Sequence, residues 1–175
     1  MWNEQIIMML LEGIKDTLYM TLTSTLIGYV IGLPMGILLT VTDKDGIHPN
    51  AAVYKVLDVI ANLIRSVPFL ILLIVLIPFT RFLIGRSYGP TATIVPLVIA
   101  AAPFIARMVE SSLKEVEPGV IEAAVSMGAG TPTIIWKVLL AEARTSLLVG
   151  VTIAVGTILG YSAMAGTVGG GGLGD

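Results

Sequence analysis

The sequence predicts an all-α fold: a polytopic bundle of membrane helices with one helical loop outside the bilayer. Its 175 residues are 55% hydrophobic and only 13% charged, with a mean hydropathy of +0.94, whereas ordinary soluble domains carry roughly 25% charged residues. Uncharged stretches long enough to cross a bilayer alternate with polar connections. We therefore expect a single transmembrane domain over residues 1–175. Its spans are predicted at about 17–42, 54–80, 87–106 and 145–166, with a loop outside the bilayer at 107–144.

The composition also excludes several classes of site. No cysteine is present, which excludes disulfides, thiolate metal sites and a cysteine nucleophile. The net charge of −2 does not indicate nucleic-acid binding, and His48 is the only histidine. The sequence contains no G-x-x-x-x-G-K-[ST] phosphate loop, no H-E-x-x-H zinc motif and no G-x-S-x-G nucleophile elbow. We therefore expect no enzyme activity, no cofactor and no metal site in the chain itself.

The first two segments are predicted from charge and helical spacing. Residues 1–16 lack a cleavable signal pattern, and their apolar residues recur opposite charged ones, which indicates either a helix at the membrane surface or the start of the first span. Residues 17–42 carry no charge and exceed the roughly 20 residues that a bilayer core requires. The glycines of this span fall four apart, at Gly28, Gly32 and Gly36. They are expected to form a smooth ridge for close helix packing, with a kink at Pro34.

The second span is predicted to begin with a polar face. Asp58, Asn62 and Arg65 are spaced by four and three residues, so they share one side of a helix. Because a charge at the bilayer centre is costly, we expect them near the cytoplasmic end of the span, where Arg65 snorkels or pairs with Asp58. Two interpretations stay open, a gate at the cytoplasmic mouth and a structural ion pair.

The third and fourth spans contain helix-breaking residues. Lipid-exposed prolines would leave carbonyl groups unpaired, so Pro96 and Pro103 are expected to face neighbouring helices or a wet cavity. The last apolar stretch, residues 145–174, carries no charge and is longer than one crossing needs. Because residues 169–172 are all glycine, its end is expected to leave the helix as a loop or re-entrant turn.

The charged segment 117–144 is predicted to form two short helices joined by a sharp turn. Pro118 suits a first helical position, where the missing N–H is not needed, and Gly128 breaks the helix that follows. Thr131, with a proline after it, is predicted to be the N-cap residue of the second helix. The segment is therefore expected to form a compact helix–turn–helix outside the bilayer.

These residues resemble a known motif. Glu122-Ala123-Ala124, then Gly128, then Val138-x-Leu140 is similar to the EAA loop in permease subunits of bacterial ABC importers. The strings at 101–110 and 160–166 resemble permeases of the methionine uptake family. The resemblance implies the type I permease fold and a cytoplasmic loop that couples the permease to a separate ATPase. The residues that it assigns to coupling are Glu122, Ala123, Ala124, Gly128 and Leu140. The family pattern has proline where Ala141 stands, which affects the expected exit angle of the loop.

The resemblance also implies a substrate path along the last span. In the family the region corresponding to Tyr161, Ser162 and Met164 lines the central cavity, and these residues supply two hydroxyls and a soft thioether; ordinary helix packing is the alternative for each of them. The implied substrate is methionine, as the L- and the D-isomer. Two alternatives stay open: a permease for another small solute, such as another amino acid or a quaternary ammonium compound, and a non-transporting membrane scaffold.

Lysine and arginine predict the orientation. If the loop 107–144 is cytoplasmic, seven of the ten lysine and arginine residues lie inside, in agreement with the positive-inside rule, and the N-terminus lies outside. The resemblance places the chain in a bacterial inner membrane. The partners that it implies are a cytoplasmic ATPase dimer, a second copy of the chain, a periplasmic or lipid-anchored binding protein and membrane lipid. Family members carry a fifth span after the glycine-rich turn, which we expect to be absent from this sequence.

Overall fold

The computed structural model describes residues 4–175, and this part of the chain is a bundle of helices. The long helices are α1 (Glu4–Thr42), α5 (Pro90–Lys114) and α9 (Arg144–Gly166). Between α1 and α5 lie α2 (Ala51–Ser66), α3 (Phe69–Val75) and α4 (Ile77–Ile84). Between α5 and α9 lie α6 (Pro118–Ser126), α7 (Thr131–Thr133), a π-helical segment (Ile134–Leu139) and α8 (Leu140–Glu142). In residues 4–175, three helices are long and apolar enough to cross a membrane, or up to four if α2 and α3 form one bent span.

The first helix begins earlier than the predicted span. α1 is one continuous helix of 39 residues, about 58 Å long at 1.5 Å per residue. The segment before residue 17 is therefore the start of this helix and not a separate surface helix, and residues 1–3 lie outside the described residues. α1 continues through Pro34. Because a hydrocarbon core is only about 30 Å thick, part of α1 extends beyond it.

The glycine ridge on α1 packs against α5, as predicted. Gly28, Gly32 and Gly36 are all buried. A Cβ atom at Gly32 would lie 2.7 Å from the carbonyl oxygen of Ala102, and one at Gly36 would lie 2.6 Å from that of Ala106. Because these neighbours are backbone atoms, only glycine lets the two helices approach this closely. The contact between α1 and α5 is the most extensive in the bundle.

The central helix, α5, is longer than the predicted third span. It continues without a break from Pro90 to Lys114, so residues 107–114 belong to it and not to the following loop. Pro96 and Pro103 lie inside α5 and are buried, as expected from the need to shield the carbonyl groups that prolines leave unpaired.

The predicted second span, residues 54–80, is not a single helix in the structure. α2 and α3 are bent by 102° relative to each other. Pro68 causes the break, because it lacks an N–H and restricts the residue before it. Val67 is accordingly extended, with φ −87° and ψ 125°. The chain therefore turns within the bundle at this point instead of crossing it straight.

The glycine-rich end leaves the helix and folds back on the bundle, as its composition predicts. α9 ends at Gly166. Gly171 has a φ of +81°, and a Cβ atom there would lie 2.9 Å from the ring of Pro90. The N–H of Leu173 donates to the Thr17 hydroxyl at 2.9 Å. The glycines thus permit a tight turn that closes one end of the bundle against α1 and α5.

Candidate functional site

The segment between α5 and α9 contains the predicted helix–turn–helix, and we call residues 118–142 the helical loop. α6 ends at Ser126, and Gly128, two residues further on, has a φ of +80°. The N–H of Gly128 donates to the Val125 carbonyl at 2.9 Å, and the N–H of Ala129 donates to the Ala124 carbonyl at 3.0 Å. These two bonds form a Schellman motif, in which the left-handed residue is usually glycine. Gly128 therefore sets the sharp turn between the two helices.

The second half of the helical loop differs from the prediction at its start. Gly130 is the N-cap residue, and Thr131 is already helical. The Thr131 hydroxyl makes no capping bond and lies instead 2.6 Å from Nε2 of His48, in the connection between α1 and α2. The prediction of Thr131 as N-cap is wrong: the helix begins at Thr131, and its hydroxyl contacts His48, a residue distant in sequence. Ala141 lies within α8, so the loop leaves toward α9 without a proline.

The five residues assigned to coupling fall into two groups. Ala124 is buried and Leu140 is half-buried against the core, so these two hold the helical loop to the bundle. Glu122, Ala123 and Gly128 are exposed. A side chain at Gly128 would meet nothing within 4 Å. Only this second group is placed to contact another subunit.

Two large apolar side chains on the helical loop were not among the predicted site residues. Met127 is 82% exposed and Trp136 is 68% exposed, although the loop lies outside the predicted spans. Apolar side chains of this size at a polar surface are typical of a protein–protein contact. For Trp136 the sequence carried a signal, since it is a large apolar residue within a charged segment.

A cavity of about 520 Å³ lies between α6, the end of α5 and the connection after α1, and Glu122 lines it. Lys114, on its wall, pairs with the carboxylate of Asp43, and its Nζ lies 2.7 Å from Oε1 of Glu110. The hydrogen bond from Lys114 lowers the pKa of Asp43 below its usual value. This ion pair fixes the connection after α1 to the end of α5, next to the helical loop.

The polar face of α2 has a different partner from the one predicted. Arg107 of α5 pairs with the carboxylate of Asp58, lies 2.7 Å from Oε2 of Glu110 and donates to the side-chain oxygen of Asn62 at 3.0 Å. Asp58 thus pairs with Arg107 and not with Arg65, because α5 places a second guanidinium against it. The side chains of Arg107 and Glu110 are only 17% and 6% exposed. Their spacing of three residues on one helix was the sequence signal for this pair.

A second cavity, of about 200 Å³, lies at the bend between α2 and α3 and is closed by α5 and α9. Arg65 and Tyr161 both line it. One residue of the predicted gate and one residue of the predicted substrate path therefore lie on the walls of the same cavity. The Tyr161 ring stacks on Phe69 with 4.6 Å between ring centroids. Ser162 and Met164 do not line this cavity: the Ser162 hydroxyl donates to a carbonyl of its own helix at 2.8 Å, and Met164 is 46% exposed.

Helices of bilayer length, a bent helix pair and an exposed helical loop turned by a glycine define a polytopic membrane domain of helices. Comparison with known families agrees with this class. The family described as binding-protein-dependent transport system inner membrane component matches residues 7–175. The chain belongs to this family. It is therefore a multi-pass transport subunit of the inner membrane and not an enzyme, as predicted.

Curated relatives cover almost the whole chain. It is 49% identical over 167 residues to the probable D-methionine transport system permease protein MetI of Vibrio cholerae serotype O1. The matched region covers 95% of this chain and 74% of the relative. It is 51% identical over 164 residues to the D-methionine transport system permease protein MetI of Escherichia coli (strain K12), over 94% of this chain and 76% of the relative. The chain thus spans about three quarters of the length of these relatives.

Solved structures share the fold. The MetNI methionine ABC transporter in an inward-facing conformation matches with a TM-score of 0.97 and 50% identity, over 99% of this chain and 80% of that chain. An amino acid ABC transporter crystallised with histidines matches with a TM-score of 0.79 at 22% identity, over 97% of this chain and 76% of that chain, which is a likeness of fold alone. The predicted all-α, type I permease fold of an ABC importer is confirmed.

Proposed function

We propose that this chain is the membrane-spanning permease subunit of an ATP-driven importer of methionine that takes both the L- and the D-isomer. The observation that carries the proposal is the identity of about half of the residues, over nearly the whole chain, to permeases of D-methionine transport systems.

In the proposed topology α1, the bent pair α2 and α3, α5 and α9 form one membrane domain. The N-terminus lies outside and the helical loop lies in the cytoplasm. This orientation places seven of the ten lysine and arginine residues on the cytoplasmic side, as the positive-inside rule requires. It also places the ion pairs around Arg107 and Lys114 toward the cytoplasmic end of α5, where partial hydration lowers the cost of charge.

The helical loop is the proposed coupling element. Ala123 and Gly128 are small and exposed, so a partner subunit can approach the backbone closely, while Glu122 supplies a hydrogen-bond acceptor. Met127 and Trp136 supply apolar contacts. We propose that this surface docks on a cytoplasmic ATPase, whose movement is transmitted to α5 and α2. Such coupling is a reciprocal free-energy link between the nucleotide site and the transport path.

The proposed assembly contains two copies of the chain and an ATPase dimer, embedded in lipid. A periplasmic or lipid-anchored binding protein delivers the substrate at the outer face. We place the translocation path beside Tyr161, with Ser162 and Met164 on the same helix as further candidates. The contact of Asp58 and Asn62 with Arg107 joins α2 to α5, and we propose it as part of the cytoplasmic gate.

The substrate is tested by uptake. The chain, with its ATPase and binding protein, is expressed in a strain that lacks its own methionine permease, and uptake of labelled L- and D-methionine is measured. Unlabelled methionine is expected to compete, whereas other amino acids and quaternary ammonium compounds are not. Stronger competition by another solute would reassign the substrate. A membrane-inserted chain that binds the ATPase but supports no uptake of any of these solutes would favour the scaffold.

The coupling role is tested by co-purification. Gly128→Trp is expected to abolish co-purification of the ATPase, because a large side chain would project from the docking surface. Gly85→Trp is the matched control, since Gly85 also has a left-handed φ, +81°, and open space around it, but it follows α4 in the proposed outer connection. Backbone strain alone would affect both variants equally, which would contradict the docking role.

A further inference from the structure

The cavity at the bend between α2 and α3 combines one cation with apolar and aromatic walls. Its volume is about 200 Å³, and its lining includes Arg65 and Tyr161 together with Phe69 of α3 and Ala100 and Phe104 of α5. Small-molecule sites are typically apolar clefts with a few placed polar groups. The composition of these walls therefore fits a small ligand that has one anionic group and one apolar part.

The cavity lies near the middle of α5. Ala100 is about 15 Å from the Pro90 end of α5 and about 21 Å from its Lys114 end, at 1.5 Å per residue. An ionisable residue within a membrane-spanning bundle by default indicates a substrate or ion pathway. Arg65 is exposed in the single chain, so a ligand that enters the cavity can reach its side chain.

Arg65 has no carboxylate partner within residues 4–175. The carboxylates of Asp58 and Glu110 both pair with Arg107, and the remaining ion pairs of this part of the chain lie at Lys44 and Lys114. An arginine guanidinium presents a planar fork of donors that matches a carboxylate in a bidentate way. A guanidinium without a protein counter-ion in a cavity thus selects for a carboxylate ligand.

We propose that Arg65 binds the carboxylate of the transported amino acid during its passage, with the apolar side chain of the substrate against Phe69 and Phe104. The Tyr161 hydroxyl is a second donor at the same cavity. The inference rests on the proposed function, because it takes the substrate to be an α-amino acid with an apolar side chain. It makes Arg65 a specificity-determining residue for solutes that carry a free carboxylate.

The test uses the absence of cysteine from the chain. Ala100→Cys introduces a single thiol at the cavity wall, and its modification by a water-soluble methanethiosulfonate is followed in the complex with the ATPase. Methionine is expected to slow the modification, whereas methionine amide, which lacks the carboxylate, is not. Phe104→Cys gives a second reporter position if the first variant does not assemble.

The role of Arg65 is then isolated in the same background. Arg65→Gln is expected to raise the half-protecting methionine concentration by about tenfold or more, since a hydrogen bond to a charged group is worth roughly that factor. Arg65→Lys keeps the positive charge but lacks the planar guanidinium, and it is expected to raise the half-protecting methionine concentration by a smaller factor. Arg86→Gln removes an exposed arginine from the connection before α5 and is expected to leave protection unchanged.

Two results would overturn the inference. One is equal protection by methionine and by its amide; the other is unchanged protection in Arg65→Gln. Neither bears on the proposed function, which is judged separately by uptake of labelled methionine through the unmutated chain. Loss of that uptake would remove the proposed function itself.

Discussion

His48 and Thr131 lie 83 residues apart in sequence, and in the structure Nε2 of His48 lies 2.6 Å from Oγ1 of Thr131. The contact joins the connection between α1 and α2 to the first helical residue after the turn of the helical loop. The ion pair between Lys114 and Asp43 fixes the same connection to the end of α5. The helical loop is thus held to the α1–α2 connection by a specific polar contact as well as to the bundle by its buried apolar residues.

Removing either partner of this contact is expected to loosen the helical loop. His48→Ala and Thr131→Val should each lower the free energy of unfolding by about 0.5–1.5 kcal/mol, the usual net value of a hydrogen bond. The double variant should cost less than the sum of the single ones. Thermal unfolding of the detergent-solubilised complex measures this, with Thr133→Val as control. Strict additivity would show that the two residues do not interact in solution.

Arg107 is expected to be the most sensitive charged residue. Arg107→Met removes the cation that pairs with the Asp58 carboxylate and with Oε2 of Glu110. Breaking a buried pair costs about 3–5 kcal/mol, and because Oε1 of Glu110 keeps its pair with Lys114, the expected loss is at the lower end, about 3 kcal/mol. The loss should appear as a lowered unfolding temperature and poor recovery of the folded chain from membranes. Lys44→Met, which breaks a pair of exposed side chains, is expected to have no measurable effect. Similar losses in the two variants would contradict the structural role of Arg107.

The packing of α1 on α5 is expected to tolerate no added methyl group at Gly36. A Cβ atom there would lie 2.6 Å from the Ala106 carbonyl oxygen, so Gly36→Ala must displace one helix, at a cost of about 1–3 kcal/mol. Gly156→Ala is the matched control, because no atom lies within 4 Å of a Cβ atom at Gly156. Unfolding temperatures of the two variants give the comparison. Equal stability would mean that the two helices are not in this close contact.

Acid is expected to destabilise the contact between the α1–α2 connection and α5 through Asp43. The hydrogen bond from Lys114 lowers the pKa of Asp43 in the folded state. The Asp43 carboxylate therefore contributes fully to stability above the pKa of Asp43 in the unfolded chain, about 3.9. This contribution is lost as the pH falls through the lower pKa of Asp43 in the folded chain. Asp43→Asn should be less stable than the unmutated chain at neutral pH.

The difference in stability between Asp43→Asn and the unmutated chain should narrow as the pH falls below about 4. Protonation of Asp43 then removes the same charge from the unmutated chain. Unfolding temperatures measured across this range check the prediction. Asp45→Asn, two residues away and exposed, is the control. A difference that stays constant with pH would show that the charge of Asp43 is not involved.

Several features could be predicted because neighbouring residues determine them. The low charge content and the uncharged stretches determined the class of a membrane helix bundle. The fourfold spacing of Gly28, Gly32 and Gly36 determined a close-packing surface, and Gly128 determined the position of the sharp turn through its left-handed backbone. Hydropathy, backbone freedom and helical period are properties of short segments, so they are readable without knowledge of the rest of the chain.

The partners of these segments were decided only in the tertiary structure. Asp58 and Arg65 share one face of α2, two turns apart, and the register of α5 against α2 brings Arg107 to Asp58 instead. The same packing places Arg65 and Tyr161 on the walls of one cavity. The path of the α1–α2 connection brings His48 within hydrogen-bond distance of the Thr131 hydroxyl. Pro68 was visible in the sequence, but the 102° bend depends on packing in the bundle. Contacts between residues distant in sequence are set by how whole helices pack, which local spacing does not encode.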